Sequence, residues 1–269
     1  MPKISVIMGV YNCKNVNELY RSVNSIINQT YKDWEFIICD DGSTDNTLAT
    51  LQNVAVLDKR IKIIGYKENK GLSNALNYCL TFSKGKYIAR MDADDISYQN
   101  RFEKQIQFLE KHKDFTFVGS IAKVFNENGI WGILKMPEYP QKEDFLWNIP
   151  FIHPSMMFRK EILLEINGYS TEEINKRCED YTLVMDLYSN GFKGYNFQEA
   201  LIDYYLENGT KKYRPMRDRI AEAKVRYIGY RKNKILLKGL PYILKPILIG
   251  LIPQCIFRQI KKWQYNREI

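Results

Sequence analysis

The stretch KYIARMDADD, residues 86–95, decides the fold of this chain, because a short apolar run passes directly into a group of carboxylates. Residues 86–91 have the composition of a buried parallel strand. Asp92, Asp94 and Asp95 then follow at the carboxyl end of that strand. Ligands of open α/β sheets bind beyond the carboxyl ends of the strands. The stretch therefore predicts a strand that carries a polar site at its end.

Three runs upstream have the same strand character, at residues 4–8, 34–39 and 61–65. Between these runs, apolar residues recur at three- and four-residue spacing over 16–27 and 72–80, as on one face of an amphipathic helix. The alternation predicts β-α-β units, which associate into a parallel sheet. We therefore expect an α/β protein of Rossmann-like type, with a mainly parallel central sheet and flanking helices.

Polar residues also follow the first two predicted strands, as GVYN at 9–12 and DDGS at 40–43. Because parallel strands place their carboxyl ends at one edge of a sheet, these clusters should meet the acids at 92–95. Downstream, the pattern predicts a helix near 102–109 and a strand pair joined at Asn128-Gly129. Mixed α/β packing is the simplest account of this second part.

Length and composition exclude several classes of protein. The chain has 269 residues, of which 45% are hydrophobic and 26% charged, so disorder and coiled-coil arrays are not indicated. Its 5 cysteines are scattered without a C-x-x-C pair, which argues against a disulfide framework and against a zinc site. The first residues run straight into a strand without the apolar core of a secretion signal. These features predict a cytoplasmic protein.

Charge divides the chain into two parts. Residues 1–210 hold 24 Lys and Arg against 28 Asp and Glu, whereas residues 211–269 hold 16 against 3. We expect a catalytic domain over 1–210 and a basic, apolar helical tail over 211–269. The tail fits an anionic membrane surface, and the alternatives are packing on the domain or formation of a homodimer. Three prolines within 239–257 argue against a simple membrane span.

Asp92 and Asp94 are separated by one residue at a strand end, so both can reach one hard divalent cation. Mg²⁺ or Mn²⁺ takes one or two protein carboxylates and completes its shell with water and phosphate oxygens. Alternatively, the acids form a solvated loop or cap the next helix. Arg90 could pair with these acids or approach a diphosphate, and the sequence leaves both roles open.

Asp41 belongs to a second acidic motif at a strand end. Gly42 allows a tight turn, and Ser43, Thr44 or Asp45 can cap the next helix. Capping does not account for two adjacent acids at the mouth of the sheet. A carboxylate there can accept the imide N–H of a uracil or thymine ring, or bond to ribose. We favour this function for Asp41 and a structural role for Asp40.

The joint order and spacing of these motifs resembles family 2 glycosyltransferases with the GT-A fold. The residues that carry the resemblance are SVIMGVYN at 5–12, SIINQT at 25–30, DDGS at 40–43, NKG at 69–71, NALN at 74–77 and DADD at 92–95. Further matches are HPS at 153–155, FR at 158–159, GY at 168–169 and EDY at 179–181. The resemblance covers residues 3–207 and is closest to the branch that builds bacterial exopolysaccharide, capsule and O-antigen.

The resemblance implies transfer of a sugar from a nucleotide-sugar donor, UDP-linked, to a hydroxyl of a saccharide acceptor, with inversion at the anomeric carbon. The acceptor would be carried on a polyprenyl diphosphate lipid. Asp94 would bind the metal directly, and Asp92 would contact ribose or a metal-bound water. The residues assigned to the nucleotide by this resemblance are Val10, Tyr11, Asn12, Asp41, Asn69, Gly71, Asn74 and Asp92.

In the family's pattern, the pair Glu179-Asp180 supplies the base that deprotonates the acceptor hydroxyl, with Asp180 in the position of the base. Glu179 would orient the acceptor or a loop. From spacing alone, Asp180 could equally favour the start of the helix that residues 183–187 predict. His153 could line the acceptor pocket or simply be packed in the interior.

One segment departs from the family's pattern. Where many relatives carry Tyr-Arg, this chain has DYYL at 203–206, so a basic contact would have to come from Lys211, Lys212 or Arg214. Two rival functions remain, a sugar-phosphate nucleotidyltransferase and a catalytically silent subunit of a polysaccharide assembly complex. A nucleotidyltransferase would need a glycine-rich loop with a basic residue near the N-terminus, and GVYN at 9–12 is not such a loop. The joint presence of Asp41, Asp94 and Asp180 argues against a silent subunit. Nucleic acid is not an expected partner.

Overall fold

A mixed β-sheet forms the centre of the protein, of which the computed structural model describes residues 1–206 and 215–251. The strands of the sheet are β1 (Ile4–Val10), β2 (Trp34–Asp41), β3 (Ile61–Tyr66), β4 (Tyr87–Arg90), β5 (Ile96–Ser97), β6 (Phe117–Asn126), β7 (Gly129–Leu134), β8 (Met157–Arg159) and β9 (Gly194–Tyr205). Their order is β3-β2-β1-β4-β8-β6-β9-β5, and β7 pairs with β6.

Helices flank the sheet and continue beyond it. They are α1 (Val16–Ile27), α2 (Thr47–Ala55), α3 (Leu72–Phe82), α4 (Arg101–Lys111), α5 (Lys160–Glu165), α6 (Glu179–Ser189), α7 (Met216–Lys232), α8 (Leu236–Ile243) and α9 (Lys245–Leu251). Three short 3-10 segments, Lys142–Leu146, His153–Ser155 and Glu173–Asn175, interrupt the loops of the second half. The helices predicted over 16–27 and 72–80 are therefore confirmed.

The first four strands in the order β3-β2-β1-β4 are all parallel, which confirms the predicted α/β sheet. The second half is mixed: β8 runs antiparallel between β4 and β6, and β9 lies parallel to β6. The strand pair at Asn128-Gly129 appears as β6 and β7. The antiparallel β8 was not predicted, because three residues are too few to show a periodic pattern.

The alternation of side chains along β1 explains why both faces of the sheet are covered. Ile7 points into a core formed with α3, α5, α6 and α7, whereas Val6 and Met8 point into a second core with α1, α2 and α4. Successive side chains of a strand face opposite sides, so a doubly covered strand must be apolar throughout. The run ISVIMGV satisfies this requirement, with Ser5 as a buried exception.

Strand register aligns the polar ends predicted from the sequence. Val10 at the end of β1 pairs with Asp40 of β2, and Asp41 pairs with Tyr66 of β3. On the other side of β1, Ile7 pairs with Arg90, so the acids after β4 begin one strand away. The polar clusters therefore share one edge of the sheet, as predicted.

The C-terminal helices pack on the sheet domain. Val225 and Tyr230 of α7 lie in the same buried core as Leu183 and Leu187 of α6. This contact corresponds to the alternative in which part of the basic tail packs on the domain. The boundary expected between residues 210 and 211 lies outside the described residues. Within 1–206 and 215–251, every helix is too short or too polar to cross a membrane.

Candidate active site

The turn after β1 is fastened to the turn after β2. Asn12 adopts a positive φ of 45°, which asparagine tolerates better than most residues. Its backbone N–H donates to Ser43 Oγ at 3.0 Å, and the Thr44 N–H donates to Asn12 Oδ1 at 2.9 Å. Ser43 and Thr44 thus hold the β1 turn, while Asp45 Oδ1 accepts the Thr47 N–H at the start of α2. Of the three predicted caps, only Asp45 bonds to the helix start.

Asp41 is buried and organises the loop before α3. Its Oδ1 accepts from the Tyr66 hydroxyl at 2.6 Å and from the Lys70 N–H at 2.9 Å. Its Oδ2 accepts from Asn69 Nδ2 and from the Gly71 N–H, both at 2.9 Å. A nucleobase would have to share these acceptors, so the geometry shows Asp41 first as the residue that positions 69–71.

Two glycines permit this arrangement. Gly42 has a φ of +67°, and a β-carbon there would lie 2.4 Å from the backbone carbon of Glu68. Gly71 has a φ of +89° with open space around it, so only the backbone angle requires glycine at that position. The turn after β2 and the loop before α3 therefore approach each other more closely than side chains would allow.

An open cavity of about 300 Å³ lies at this edge of the sheet. Seven of the residues assigned from the sequence line it, namely Val10, Tyr11, Asp41, Asn69, Gly71, Asn74 and Glu179. Its opposite wall is the segment 170–177, which includes Lys176 and Arg177. Among the described residues, the other assigned ones (Asn12, Asp92, Asp94, Asp180 and His153) are not part of the lining. The cavity thus brings six of the eight residues assigned to the nucleotide together with Glu179.

An acidic cluster follows β4. Oxygens of Asp92, Asp94 and Asp95 lie within 4.8 Å of one another. Asp95 is almost fully buried: its Oδ1 accepts the Tyr205 N–H at 2.8 Å, while its Oδ2 is buried without a hydrogen-bond partner. Three converging carboxylates with an unsatisfied buried oxygen form an oxygen-rich, anionic donor set. This set fits a hard dication such as Mg²⁺ or Mn²⁺.

Arg90 resolves one question that the sequence left open. Its buried guanidinium forms an ion pair with Asp92 through Nη1. Burial alone would lower the pKa of Arg90, but the neighbouring Asp92 outweighs burial and raises the pKa above its ordinary value. Arg90 is therefore a permanent positive charge beside the acidic cluster, paired with one of its acids.

Carboxyl pKa values in this region are raised by burial and by mutual repulsion. Burial, followed by the charge of Asp92, raises the pKa of Asp94 to about 7. Burial and then the charge of Asp180 raise the pKa of Glu179 above its ordinary value. Crowded carboxylates of this kind favour the approach of a cation, because a positive charge relieves their repulsion.

The pair Glu179-Asp180 begins α6 and lies within electrostatic range of the acidic cluster. Both Arg90 and Asp92 influence the pKa of Glu179. Burial raises the pKa of the Tyr204 hydroxyl, and Asp92, Asp94, Asp95 and Asp180 add to the rise. Tyr204 is therefore within electrostatic range of both the acidic cluster and Asp180, so the structure brings both sets of acids into one site.

Comparison with known proteins decides the family. The sequence profile described as "Glycosyl transferase family 2" matches residues 5–166, which is more than half of the chain. The chain is a member of glycosyl transferase family 2. This finding confirms the resemblance inferred from the motifs, and such enzymes draw on nucleotide-sugar donors. It also removes the nucleotidyltransferase alternative.

Two curated relatives match this glycosyltransferase over nearly its whole length. "Putative glycosyltransferase EpsE" of Bacillus subtilis (strain 168) is 39% identical over 262 residues, covering 97% of this chain and 94% of the relative. The "UDP-Gal:alpha-D-GlcNAc-diphosphoundecaprenol beta-1,3-galactosyltransferase" of Escherichia coli is 31% identical over 259 residues, with coverages of 94% and 92%. Others are named for O-antigen and teichuronic acid biosynthesis, which agrees with the expected branch.

The fold of the glycosyltransferase is shared with a solved structure. S. aureus TarS (residues 1–349), in complex with UDP-GlcNAc, superposes with a TM-score of 0.69 over 90% of this chain and 73% of TarS. The sequence identity is 20%, so this likeness concerns the fold. Together with family membership, it confirms the expected GT-A architecture.

His153 lies in the interior of the glycosyltransferase. Its Nε2 and the Tyr169 hydroxyl are 2.8 Å apart, and burial, followed by the charge of Arg90, holds the pKa of His153 well below its ordinary value. Tyr169 is held in turn by Asn77, whose amide bonds both the N–H and the C=O of Tyr169. His153 is therefore a neutral, packed histidine next to Tyr169.

Several residues of the site had no assigned role in the sequence interpretation. Asp95 completes the acidic cluster. Tyr169 pairs with His153 and lies within electrostatic range of the acids, since Asp180, Asp92 and Glu179 all influence the pKa of the Tyr169 hydroxyl. Lys176 and Arg177 line the cavity. The sequence could have indicated these two cations, because they stand just before Cys178-Glu179. The cations expected from Lys211, Lys212 or Arg214 lie outside the described residues.

Proposed function

We propose that this enzyme transfers a sugar, with inversion, from a UDP-sugar to a hydroxyl of a lipid-linked saccharide in cell-surface polysaccharide biosynthesis. The observation that carries the proposal is the shared edge of the sheet. There, one cavity joins the turn after β1 to Glu179, and Glu179 is in electrostatic contact with Arg90 and Asp92. A nucleotide pocket, a metal-type acidic cluster and a candidate base thus adjoin one another.

The nucleotide would occupy the cavity. Tyr11 is half exposed at its wall and offers a ring, while Asn69 and Asn74 offer amides. Asp41 fixes the 69–71 backbone and would contact the base through that loop or by sharing an acceptor. A uracil donor is supported by two proteins: the Escherichia coli relative is named for UDP-Gal, and TarS was solved with UDP-GlcNAc.

Asp94 and Asp92 would hold Mn²⁺ or Mg²⁺, with Asp94 as a direct ligand and Asp92 as a contact to ribose or to a metal-bound water. Asp95, whose buried Oδ2 has no hydrogen-bond partner, joins them as a further candidate ligand. When bound, the cation would stabilise negative charge on the departing nucleoside diphosphate. Arg90 would orient Asp92 through their ion pair.

Asp180 would remove the proton from the acceptor hydroxyl, and Glu179 would orient the acceptor. Glu179 lines the cavity, where burial together with the charge of Asp180 raises the pKa of its carboxyl above its ordinary value. The assignment of the base to Asp180 rests on its place in the family's pattern. Asp180 lies in the first turn of α6, where the helix dipole favours a negative charge.

His153 would serve the acceptor side through Tyr169. His153 and Tyr169 are both buried and paired with each other, so the pair would support the acceptor site from the interior rather than line it as an open surface. The neutral imidazole would fix the direction of that hydroxyl. This role is narrower than direct lining of an acceptor pocket by His153.

A lipid-linked acceptor would place the reaction at a membrane. The Escherichia coli relative is named for an acceptor on diphosphoundecaprenol, a polyprenyl diphosphate. We place this enzyme in the cytoplasm, peripheral on the inner face of the cell membrane, where the basic tail would meet anionic lipid. A homodimer is compatible with this placement.

The test is a thermal-shift and calorimetric screen of UDP-, GDP- and dTDP-sugars, each with and without Mn²⁺. We expect a UDP-sugar to raise the melting temperature only when Mn²⁺ is present, and Asp94→Asn to abolish the shift. Asp114→Asn is the matched control, because Asp114 is exposed after α4 and remote in sequence from the cluster. Folded protein that responds to none of these donors would favour the silent-subunit alternative.

A further inference from the structure

The last two helices in the described part of the chain, α8 and α9, and the junction between them carry a row of exposed leucines. We call it the leucine face; it consists of Leu237, Leu240, Leu244, Leu248 and Leu251. These side chains are between 52% and 86% exposed. A spacing of three residues places Leu237 and Leu240 on one side of α8, and Leu248 and Leu251 on one side of α9, while Leu244 lies at the junction of the two helices. Soluble proteins bury most leucines, so a contiguous exposed row marks a surface that meets a partner.

The opposite side of the same helices is firmly packed, which fixes the leucine face outward. A β-carbon on Gly239 would overlap the ring of Tyr230, so α8 lies directly against α7. Arg219 Nη1 donates to the Pro246 carbonyl at 3.1 Å. Lys238 forms an ion pair with Glu143 at 2.8 Å. The exposed row therefore belongs to helices that are packed on the rest of the protein.

The surroundings of the leucine face are strongly cationic. Between Glu222 and Glu268 the sequence contains no acidic residue. Arg231, in the last turn of α7, and Lys234, just before α8, are exposed. At the rim, Lys245 Nζ lies 3.6 Å from the ring centroid of Trp147, a tryptophan that is itself 62% exposed. Apolar side chains, flanking cations and a rim tryptophan are the composition that binds a membrane interface.

We infer that the leucine face docks on a bilayer of anionic lipids and inserts its side chains among the acyl chains, with the neighbouring cations on the headgroups. The inference deepens the proposed membrane attachment and rests on the proposed function only for the choice of a membrane. Two other occupants of the face are a second copy of this chain and residues 252–269. A second copy would bring the same basic face, and residues 252–269 carry four Lys or Arg against one Glu, so both would be repelled by the cations that attract an anionic lipid.

The test uses the full chain and sedimentation with vesicles of phosphatidylcholine alone or with 30% phosphatidylglycerol. We expect the unmodified protein to bind only the anionic vesicles. Combined Leu240→Ser, Leu244→Ser and Leu248→Ser should weaken that binding at least tenfold. Combined Leu57→Ser and Leu164→Ser is the matched control, since these leucines are exposed on the sheet domain and should not matter. Arg231→Gln with Lys234→Gln should weaken binding severalfold and reduce its salt dependence.

Three outcomes would overturn the inference. The first is unchanged vesicle binding by the triple leucine variant. The second is a dimer, seen by light scattering, that the triple variant converts to a monomer while vesicles bind neither form. The third is a melting temperature several degrees lower with vesicle binding retained, which would assign the face to residues 252–269. Metal-dependent UDP-sugar binding is measured on the same samples, so a failure of the proposed donor chemistry is distinguished from a failure of lipid docking.

Discussion

The backbone N–H of Gly71 donates to both carboxylate oxygens of Asp41, at 2.9 Å to Oδ2 and 3.2 Å to Oδ1. Asp41 ends β2 and Gly71 directly precedes α3, so one side chain joins the end of a strand to the start of a helix. An anion at this position also faces the positive end of the helix dipole. The cavity wall at 69–71 is therefore fixed by Asp41 before any ligand arrives.

Asp41→Asn should lower the free energy of unfolding by about 1–3 kcal/mol, because an amide nitrogen would replace an acceptor that several donors share. UDP-sugar binding should weaken as the 69–71 loop loosens. Urea unfolding and calorimetry measure the two effects, with Asp114→Asn as a surface control. Full stability together with lost donor binding would instead indicate that Asp41 acts mainly on the nucleotide.

Gly42→Ala and Gly71→Ala should differ in their effect on stability, although both glycines have positive φ angles. At Gly71 the added methyl group meets open space, so only the cost of the left-handed backbone applies, about 1–2 kcal/mol. At Gly42 the methyl group would also collide with the backbone of Glu68. Urea midpoints should therefore fall further for Gly42→Ala. Equal midpoints would contradict the close approach of the two loops.

The sequence could predict the strands and their polar ends, because buried parallel strands and amphipathic helices leave distinct periods. It could not predict the bonds of Asp41, since Asn69 and Gly71 are brought to that carboxylate only by the crossover of the chain. The choice of Arg90 between an acid and a diphosphate likewise depended on side-chain direction. For the same reason, Asp95 could not be recognised from its position alone as the acid with an unpaired buried oxygen.

The tail shows a different limit of sequence interpretation. Its charge and apolar content favoured membrane attachment and left packing on the domain or a homodimer as the alternative. In the structure, Arg226 of α7 is buried and donates to the Tyr230 hydroxyl at 2.7 Å and to the Leu146 carbonyl at 3.2 Å. Tyr181, the residue after Asp180, lies 3.2 Å from Tyr230 through their hydroxyls. Such contacts depend on tertiary packing, which no local period records.

Arg226→Met should destabilise the protein by about 3–5 kcal/mol, because it breaks a largely buried ion pair with Glu222 and removes the donor to the Tyr230 hydroxyl and the Leu146 carbonyl. Lys232→Met is the matched control on α7, since its pair with Asp186 is half exposed and should contribute at most about 1 kcal/mol. Unfolding in urea should remain a single transition. A separate early transition that alone responds to Arg226→Met would show that α7 folds apart from the sheet domain.

His153 should make the protein less stable as the pH falls below about 6.5, the ordinary pKa of histidine. The folded state holds the pKa of His153 well below that value, so below pH 6.5 the unfolded chain binds a proton that the folded protein refuses. Between pH 7 and 5.5 this difference amounts to about 1 kcal/mol. His153→Gln should lose that part of the pH dependence, whereas His112→Gln, at an exposed position, should keep it. Parallel curves for all three proteins would contradict a neutral buried His153.

Asp180→Asn should separate donor binding from turnover. Tyr181 donates its backbone N–H to Asp180 Oδ1 at 2.7 Å, and an asparagine Oδ1 can accept the same bond, so α6 should still begin at this position. UDP-sugar affinity should stay within about twofold, while UDP release should slow by about 10²–10⁴-fold, the usual contribution of a general base. Asp186→Asn on the same helix is the matched control and should release UDP at the normal rate. Glu179→Gln should affect turnover less than Asp180→Asn, because Glu179 is proposed to orient the acceptor and not to accept its proton. The order of the two variants is the decisive outcome, and the reverse order would assign the proton transfer to Glu179.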